Sequence, residues 1–328
     1  MSIEPALLLR ALRADRAISG SDLAARLGVT RAAVWKQIRG LRAQGVPIEA
    51  VAGQGYKLAW PFEALDADAI RAQLGRAGFA AALRRRLRNI AVHWRIDSTN
   101  AELLRNAATG APALSICLAE MQSAGRGRRG RTWVSPLGAN IYFSLLQRFE
   151  GGMGTLSGLS LAAGVAVAQA LEDCGAAGIG LKWPNDLIVD GRKLAGILVE
   201  AGGEFLGPCF AVIGIGINLR LPGGVDTGQP AIDLARICDT LPSRNRVVAR
   251  VAARLVEALD RFAADGFGAF AKAYAAHDAL AGRPVRVHTA QGVRDGIADG
   301  VDARGALRVR HGATPAVYDS ADVSVRAA

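Results

Sequence analysis

The chain has 328 residues, 51% of them hydrophobic, and a formal net charge of +11 at pH 7. This is the composition of a globular protein with a substantial core and room for two or three domains. The charge surplus is carried almost wholly by arginine, which hints at phosphate-bearing partners. The four cysteines lie far apart with no C-x-x-C spacing, so a disulfide framework or a zinc site is not expected, and they indicate a reducing compartment.

No segment predicts export or membrane insertion. The start, Met1 to Pro5, has no basic region ahead of a long apolar run, so it does not predict a signal peptide. Nowhere do about 18 uncharged apolar residues run together. Residues 156–171 come nearest, but their glycines and serines recur at helical intervals and predict a buried core helix. We therefore expect a cytoplasmic protein with no membrane partner.

Residues 5–60 have the pattern of a compact winged helix-turn-helix. Ser19 to Asp22 offer caps for a short second helix, Gly28 makes a turn, and Thr30 caps a longer third helix. Short helix, tight turn and longer helix is the helix-turn-helix arrangement. The predicted elements are helices over 6–13, 23–27 and 31–44, and a hairpin of strands over 46–51 and 56–58.

The third helix is the candidate DNA reader. Over residues 1–60, nine Lys or Arg stand against four Asp or Glu. In a winged helix this helix enters a major groove. The candidate DNA-contacting residues are Thr30, Arg31, Trp35, Lys36 and Arg39. A trihelical domain that binds protein, or nothing, is the alternative.

Trp60-Pro61 marks a linker, because proline forces the preceding residue out of the helical region. We therefore predict three domains, at 1–62, 63–281 and 282–328. The central one should contain helices over 66–88, 101–108, 158–173, 246–264 and 268–280, and strands over 90–96, 113–119, 140–146, 187–189, 192–200 and 210–213. Short alternating strands at 285–287, 307–309 and 323–325 predict a small β-barrel that leans on the central domain.

The stretch from Gln122 to Arg131 holds four arginines and three glycines in ten positions. Such a stretch predicts a loop, because glycine loses the most backbone freedom in a helix and adjacent like charges repel. Guanidinium groups bind oxyanions through paired charge-assisted hydrogen bonds, which suits a nucleotide or a nucleic acid phosphate. A solvated basic surface loop is the alternative.

The glycines of this basic loop also match G-x-G-x-x-G, at positions 125, 127 and 130. That fingerprint requires a helix that opens at the loop and holds a pyrophosphate at its N-terminus. Trp133, Pro136 and a strand-like segment follow instead, so we set a Rossmann site aside.

Three further stretches suit a ligand. Ser98-Thr99-Asn100 would cap a helix and leave backbone amides free for a carbonyl or carboxylate, although capping alone explains these residues equally well. A hairpin turning at Asp190-Gly191 is flanked by polar side chains that are costly to bury without a partner. They are Lys182, Asn185, Asp186 and Lys193. Glycines alternate with isoleucine from Gly214 to Asn218, which suggests close approach of a backbone or a ligand.

The basic loop, the Lys182 to Asp186 stretch, the Arg192 to Glu200 segment and the Gly214 to Asn218 strand occur in this order between a winged helix and a small barrel. Over almost the whole chain they closely resemble the bifunctional biotin-protein ligase and biotin operon repressor family of bacteria. Residues 222–246 match least and carry no weight. The resemblance implies an α+β multidomain fold: an N-terminal winged helix-turn-helix, a central α/β catalytic domain with a mixed sheet, and a C-terminal SH3-like β-barrel.

In that family, biotin and ATP condense to biotinyl-5′-AMP and pyrophosphate, with Mg²⁺ as cofactor, and the acyl group then passes to a lysine of biotin carboxyl carrier protein. The resemblance implies catalytic roles for Lys193, Arg128 and Asp186, the last near the attacking amine. It implies a biotin-binding set of Ser98, Thr99, Asn100, Gln122, Arg126, Gly127, Arg128, Trp133 and Lys193. The implied ATP-binding set is Arg126, Arg128, Arg131, Lys182, Asn185 and Asn218. No metal-ligating set is predicted, since the histidines fall at no metal-ligand spacing.

The resemblance further implies that the adenylate promotes a homodimer, which places two winged helices on palindromic operator DNA. Two other functions remain open from the sequence. A lipoate or octanoate ligase shares the acyl-adenylate or acyl-transfer logic, but the arginine-rich loop speaks against it. A winged-helix sensor that binds a small molecule without turning it over would leave Lys193 and Asp186 unexplained.

Overall fold

The N-terminal unit of the computed structural model is a three-helix domain with a β-hairpin wing. The structure describes residues 4–76, 81–87, 89–289, 292–319 and 324–327. The elements of this unit are α1 (Pro5–Ala11), α2 (Gly20–Leu27), α3 (Arg31–Ala43), β1 (Ile48–Val51) and β2 (Gly55–Leu58). Ser19 accepts a hydrogen bond from the backbone of Asp22 at the start of α2, and Thr30 from Ala33 at the start of α3. The Thr30 cap confirms the predicted start of α3 at Arg31, whereas α2 begins at Gly20 rather than at Leu23, because Ser19 is its cap.

The central domain is built on a seven-stranded mixed sheet. Its strands are β3 (Ile90–His93), β4 (Ser115–Ala119), β5 (Ile141–Phe149), β6 (Gly180–Lys182), β7 (Asp186–Val189), β8 (Arg192–Gly203) and β9 (Cys209–Ile217), in the order β3-β4-β5-β9-β8-β7-β6. Strands β3 and β4 are parallel, and the other neighbours are antiparallel. The predicted mixed sheet is confirmed, and the Gly214 to Ile217 stretch lies within β9 rather than after it.

Helices cover both faces of this sheet. They are α4 (Ala67–Arg76), α5 (Ala81–Arg86), α6 (Thr99–Ala108), α7 (Leu159–Glu172), α8 (Leu234–Ile237), α9 (Arg244–Asp265) and α10 (Ala271–His277). Helices α7 and α9 share one large apolar core with β5 and β8, whereas α6 packs on the opposite face. No helix among the described residues is both long and apolar enough to span a bilayer.

Two predicted helices are wrong in extent. Of the predicted 66–88 helix, α4 and α5 are described as helical and residue 87 as non-helical, while residues 77–80 and 88 lie outside the described residues. The 268–280 helix begins as a 3₁₀ turn over Phe267–Phe270 and ends at His277. It ends there because the carboxylate of Asp278 accepts the backbone N–H of Leu280, a local turn that competes with helix.

The C-terminal strands form a five-stranded antiparallel sheet. They are β10 (Pro284–Thr289), β11 (Gly292–Val301), β12 (Leu307–His311), β13 (Thr314–Tyr318) and β14 (Ser324–Ala327), in the order β13-β12-β11-β10-β14. The sequence predicted only three strands, because Gly, Asp and Pro interrupt the pattern of β11 and β13; Val323 of the third lies outside the described residues. The sheet does lean on the central domain, since the indole N–H of Trp183 donates to the carbonyl of Gly305 at 3.1 Å. An SH3-like closure stays a prediction.

A buried ion pair ties the linker after the winged helix to the central domain. Arg244, the first residue of α9, lies 2.6 Å from Glu120 at the end of β4, and both side chains are only 3% exposed. Arg244 also donates to the carbonyls of Glu63 and Asn140, and Glu120 accepts the N–H of Leu65 at 2.7 Å. We call these two side chains the linker clamp, because they hold residues 63–65 against the sheet.

Candidate active site

A cavity of about 830 Å³ opens at one end of the central sheet. It is bounded by the start of α6, the basic loop, the 182–186 segment, strands β8 and β9, and residues 227–231. Every predicted ligand-binding residue lines it: Ser98, Thr99, Asn100, Gln122, Arg126, Gly127, Arg128, Arg131, Trp133, Lys182, Asn185, Asp186, Lys193 and Asn218. Residues separated by more than a hundred positions thus meet around one space large enough for a nucleotide and a second small molecule.

One end of the cavity is a buried polar network at the start of α6. Ser98 caps this helix, as predicted, by accepting from the N–H of Ala101 at 3.4 Å. The carboxamide oxygen of Gln122 accepts the backbone N–H of Thr99 at 2.9 Å. Asn100 is 4% exposed and donates to Glu200 at 2.8 Å. We call the Ser98 to Asn100 region the polar end; it offers both donors and acceptors to a ligand.

Two glycines of β9 form the floor of the cavity. A Cβ atom on Gly214 would overlap the side-chain amide of Asn100, and one on Gly216 would overlap the indole of Trp133. The predicted close approach at the alternating glycines is therefore made by side chains of this same chain. Because these two glycines have no side chains, the polar end and the indole of Trp133 lie directly on the sheet.

The opposite part of the cavity is cationic. The Lys193 amine lies 2.7 Å from a carboxylate oxygen of Asp186, and these side chains are 15% and 18% exposed. The same amine lies 5.5 Å from the ring centroid of Trp133, within reach of a cation–π interaction. Burial lowers the pKa of the Arg128 guanidinium, and the neighbouring Arg129 lowers it further, while Asp186 opposes both. An anion in the cavity would relieve this penalty on the charged form.

The basic loop contains no α-helix and leads into β5, which agrees with setting the Rossmann site aside. Residues Arg128–Gly130 form one 3₁₀ turn, with Arg129 at φ +56°. Gly125 is required, because a Cβ there would meet the carbonyl of Trp133 and the hydroxyl of Ser135. A left-handed arginine and a crowded glycine bend this loop over the cavity.

Residues 227–231 were missed by the sequence reasoning, which gave the 222–246 region no weight. Thr227 to Ala231 nevertheless line the cavity. The backbone of Lys193 donates to Pro230 and accepts from Ile232, both at 2.9 Å. The amide of Asn218 reinforces the contact by donating to the carbonyls of Lys193 and Ile232. The only sequence signal was a loop composition rich in glycine and proline.

Two more residues were missed because they stand behind the cavity wall. Glu200 lies 3.1 Å from the guanidinium of Arg126 and also accepts from Asn100. The hydroxyl of Ser144 on β5 lies within hydrogen-bonding distance of Thr99 and Asn100. Glu200 ends the Arg192 to Glu200 segment but was assigned no role, and Ser144 belongs to no motif. Within the described residues, no group of three His, Cys, Asp or Glu could hold a metal ion.

The candidate DNA-reading helix α3 is well exposed at its predicted contact residues. Trp35 is 53% exposed, and the guanidinium of Arg39 lies 5.5 Å from its ring centroid. Arg31 and Lys36 are exposed as well, whereas the hydroxyl of Thr30 caps the helix by accepting a backbone N–H. This surface combines charge with one large aromatic ring.

Comparisons with known proteins match both parts of the chain. The model of the biotin/lipoate A/B protein ligase family matches residues 92–218, and that of an HTH domain matches residues 6–57. The bifunctional ligase/repressor BirA of Salmonella typhimurium is 37% identical, over 99% of this chain and 98% of its own length. The chain belongs to the biotin/lipoate A/B protein ligase family. Within this family it is similar to the members that carry an N-terminal HTH domain.

Further relatives agree with this membership. BirA of Escherichia coli is 35% identical, over 94% of this chain and 93% of its own length. The solved biotin protein ligase from Aquifex aeolicus in complex with biotin and ATP has a TM-score of 0.64 and 26% identity, covering 74% of this chain and all of that one. The resemblance read from the motifs is confirmed, as is the predicted fold class.

Proposed function

We propose that this protein is an ATP-dependent biotin-protein ligase, which forms biotinyl-5′-AMP and transfers biotin to a lysine of biotin carboxyl carrier protein. One observation carries the proposal: Arg128 and the amine of Lys193 border the same cavity as a buried polar end. That arrangement suits a ligand with a hydrogen-bonding ring at one end and a carboxylate at the other. Family membership and the relatives that act on biotin support it.

The polar end favours biotin over lipoate. The ureido ring of biotin has two N–H donors and one carbonyl acceptor, which can pair with Ser98, Thr99 and Gln122. The dithiolane ring of lipoate has no comparable groups and would leave the remaining hydrogen-bonding capacity of these side chains unmet. A site built to hydrogen-bond its substrate rejects an analogue that lacks the partners, because each unmet buried group costs about 1–3 kcal/mol.

Adenylate formation requires a carboxylate to approach a phosphate. An oxygen of the biotin carboxylate attacks the α-phosphorus of ATP, and the bond to the pyrophosphate oxygen breaks with the electron pair on pyrophosphate. Two anions come together in this step, so fixed positive charge lowers the barrier. Lys193 would bridge the carboxylate and the α-phosphate, with Arg126, Arg128 and Arg131 on the phosphates. Lys182, Asn185 and Asn218 would complete the nucleotide side, and Trp133 would form the apolar wall.

Transfer follows at the same place. The acceptor lysine amine attacks the acyl carbon of the anhydride, AMP leaves with the bonding pair, and the amine loses a proton. Asp186 is the side chain we assign to orienting that amine or accepting its proton. Its ion pair with Lys193 keeps both groups beside the reacting carbonyl. The basic loop and residues 227–231 would exclude water, which would otherwise hydrolyse the anhydride.

The cavity suits Mg²⁺ that arrives on ATP rather than a metal held by the protein. Mg²⁺ on nucleotides is bound by phosphates with one or two protein oxygens, and Asn185 and Asp186 supply such oxygens here. The ion would add positive charge to the departing pyrophosphate when bound. The protein groups would still position the two substrates.

The test is acid-dependent pyrophosphate exchange with biotin or lipoate supplied separately. Exchange with biotin and not lipoate is expected; the reverse would overturn the substrate assignment. Lys193→Ala should lower the exchange rate by about 10²–10³, the loss seen when one charge-stabilising donor is removed. Lys272→Ala on exposed α10 is the matched control. Wild-type exchange by folded Lys193→Ala would refute the role of this amine.

We further propose that the protein represses biotin synthesis genes as an adenylate-promoted homodimer on operator DNA. The exposed basic surface of α3 and the HTH match support DNA binding. Binding should weaken with salt, log K falling against log salt by about 0.9 per contacted phosphate, and Arg39→Ala should make that slope shallower by nearly 1. Salt-insensitive binding would remove the hypothesis.

We propose the cytoplasm as the compartment, in keeping with four free cysteines.

A further inference from the structure

Glu200 is a carboxylate placed beside a site that should bind two anions. It does not line the cavity, and its side chain is 26% exposed. One of its oxygens, Oε2, lies 2.8 Å from the amide nitrogen of Asn100 and 3.1 Å from the guanidinium of Arg126. A negative charge in this position weakens anion binding. The two contacts that Glu200 makes indicate what it contributes in return.

Glu200, together with the backbone carbonyl of Leu198 at 3.3 Å, fixes the orientation of the Asn100 amide. A carboxylate can only accept, so the amide must present its NH₂ to Glu200 and its oxygen to the other side. That oxygen lies 2.6 Å from the hydroxyl of Ser144. An amide oxygen also only accepts, so Ser144 gives its single proton to Asn100.

The hydrogen-bond direction set by Glu200 extends to Thr99. The Ser144 hydroxyl lies 2.8 Å from the Thr99 hydroxyl, and its own proton is already used. Ser144 therefore has no proton left for Thr99. The Thr99 hydroxyl proton goes either to Ser144 or to the oxygen of Gln122 at 3.1 Å, which also accepts the Thr99 backbone N–H. Both lone pairs of Thr99 are then left for ligand N–H groups, whereas the reversed chain would use one of them on Ser144.

Glu200 also ties the basic loop to the sheet. Arg126 belongs to that loop, Glu200 lies on β8, and their ion pair joins segments 74 residues apart in sequence. Because the same carboxylate oxygen contacts Asn100, the position of the loop and the polarity of the cavity end depend on one group.

We propose that Glu200 is a positioning residue for the vitamin: it sets the hydrogen-bond direction through Asn100, Ser144 and Thr99 and holds Arg126 over the polar end. The inference rests on the proposed function, since it takes the polar end to bind the ureido ring. It concerns biotin first, because Glu200 reaches the nucleotide side of the cavity through Arg126 alone among the proposed phosphate-binding arginines.

The test is Glu200→Gln, which keeps size and shape but replaces an acceptor-only group with one that can also donate. Biotin affinity is measured by calorimetry, and the KM values for biotin and for MgATP by pyrophosphate exchange. The Kd and KM for biotin should rise about tenfold, the loss of one charge-assisted contact. The KM for MgATP should rise less than the KM for biotin, because Arg128, Arg131 and Lys182 still hold the phosphates. Glu257→Gln, which neutralises a surface ion pair with Arg254, is the matched control.

Asn100→Ala separates the inference from the function on which it rests. If Asn100→Ala weakens biotin binding and Glu200→Gln does not, the positioning role is overturned and the biotin site stands. If neither variant changes biotin binding, the assignment of the polar end fails and the inference falls with it. A parallel rise of both KM values with a lower melting temperature would mean a merely structural role and would also overturn the proposal.

Discussion

Removing Arg244 should destabilise the central domain far more than removing a surface arginine. Its guanidinium lies 2.6 Å from Glu120, with both side chains 3% exposed, and it donates to Glu63 and Asn140. In Arg244→Ala, Glu120 stays buried with a backbone N–H of Leu65 as its remaining hydrogen bond. Breaking a buried ion pair in this way costs about 3–5 kcal/mol of unfolding free energy.

The assay is urea denaturation of the wild type, Arg244→Ala and Arg254→Ala. Because a multidomain chain unfolds in more than one step, the free energy of unfolding is taken from the transition that includes the central domain. Arg254→Ala removes a half-exposed partner of Asp173 and should cost at most about 1 kcal/mol. Combining Arg244→Met with Glu120→Leu should cost less than Arg244→Ala, because no unpaired charge remains. A loss for Arg244→Ala no larger than for Arg254→Ala would refute the reasoning.

Two other outcomes are expected. Arg128→Gly should let the adenylate escape, so that biotin appears on lysines of a bystander protein by mass spectrometry; label confined to the carrier protein would contradict the closure role of the loop. Burial lowers the pKa of His277, but its hydrogen bonds to Ala273 and Glu172 outweigh burial and raise it overall from 6.5. The stabilisation by the His277–Glu172 pair should therefore be complete below about pH 6.5 and disappear as the pH rises through the raised pKa of His277. Glu172→Gln should lower that pKa in an NMR titration, and an unchanged curve would show that the pair is not responsible.

Local chemistry explains which parts of the fold the sequence predicted. Caps at Ser19, Thr30 and Ser98 and the turn at Asp190-Gly191 are set by neighbours in the chain, and each lies where it was predicted. The early end of α10 was missed because it depends on the Asp278 side chain choosing a local turn over the helix. Strands β11 and β13 were missed because tertiary pairing, rather than alternation of apolar residues, holds them in the sheet.

The same division applies to the candidate site. Motif residues such as Lys193 and Arg128 were predicted because their charged side chains are costly to bury without a ligand. Glu200 and Ser144 act on other side chains across the sheet, and only strand register brings them to Arg126 and Thr99. The segment around Pro230 contributes mainly backbone, so no side-chain pattern could reveal its contact with Lys193.

The glycine floor limits how this pocket can change. Even a methyl group on Gly214 or Gly216 would collide with Asn100 or Trp133, so single substitutions at these positions cannot enlarge or reshape the bottom of the pocket. Thr227 to Ala231 also line the cavity, and the contact of this segment with Lys193 is made by backbone, so their side chains can change without that collision. Libraries that seek ligases for biotin analogues should randomise Thr227 to Ala231 and leave the two strand glycines untouched.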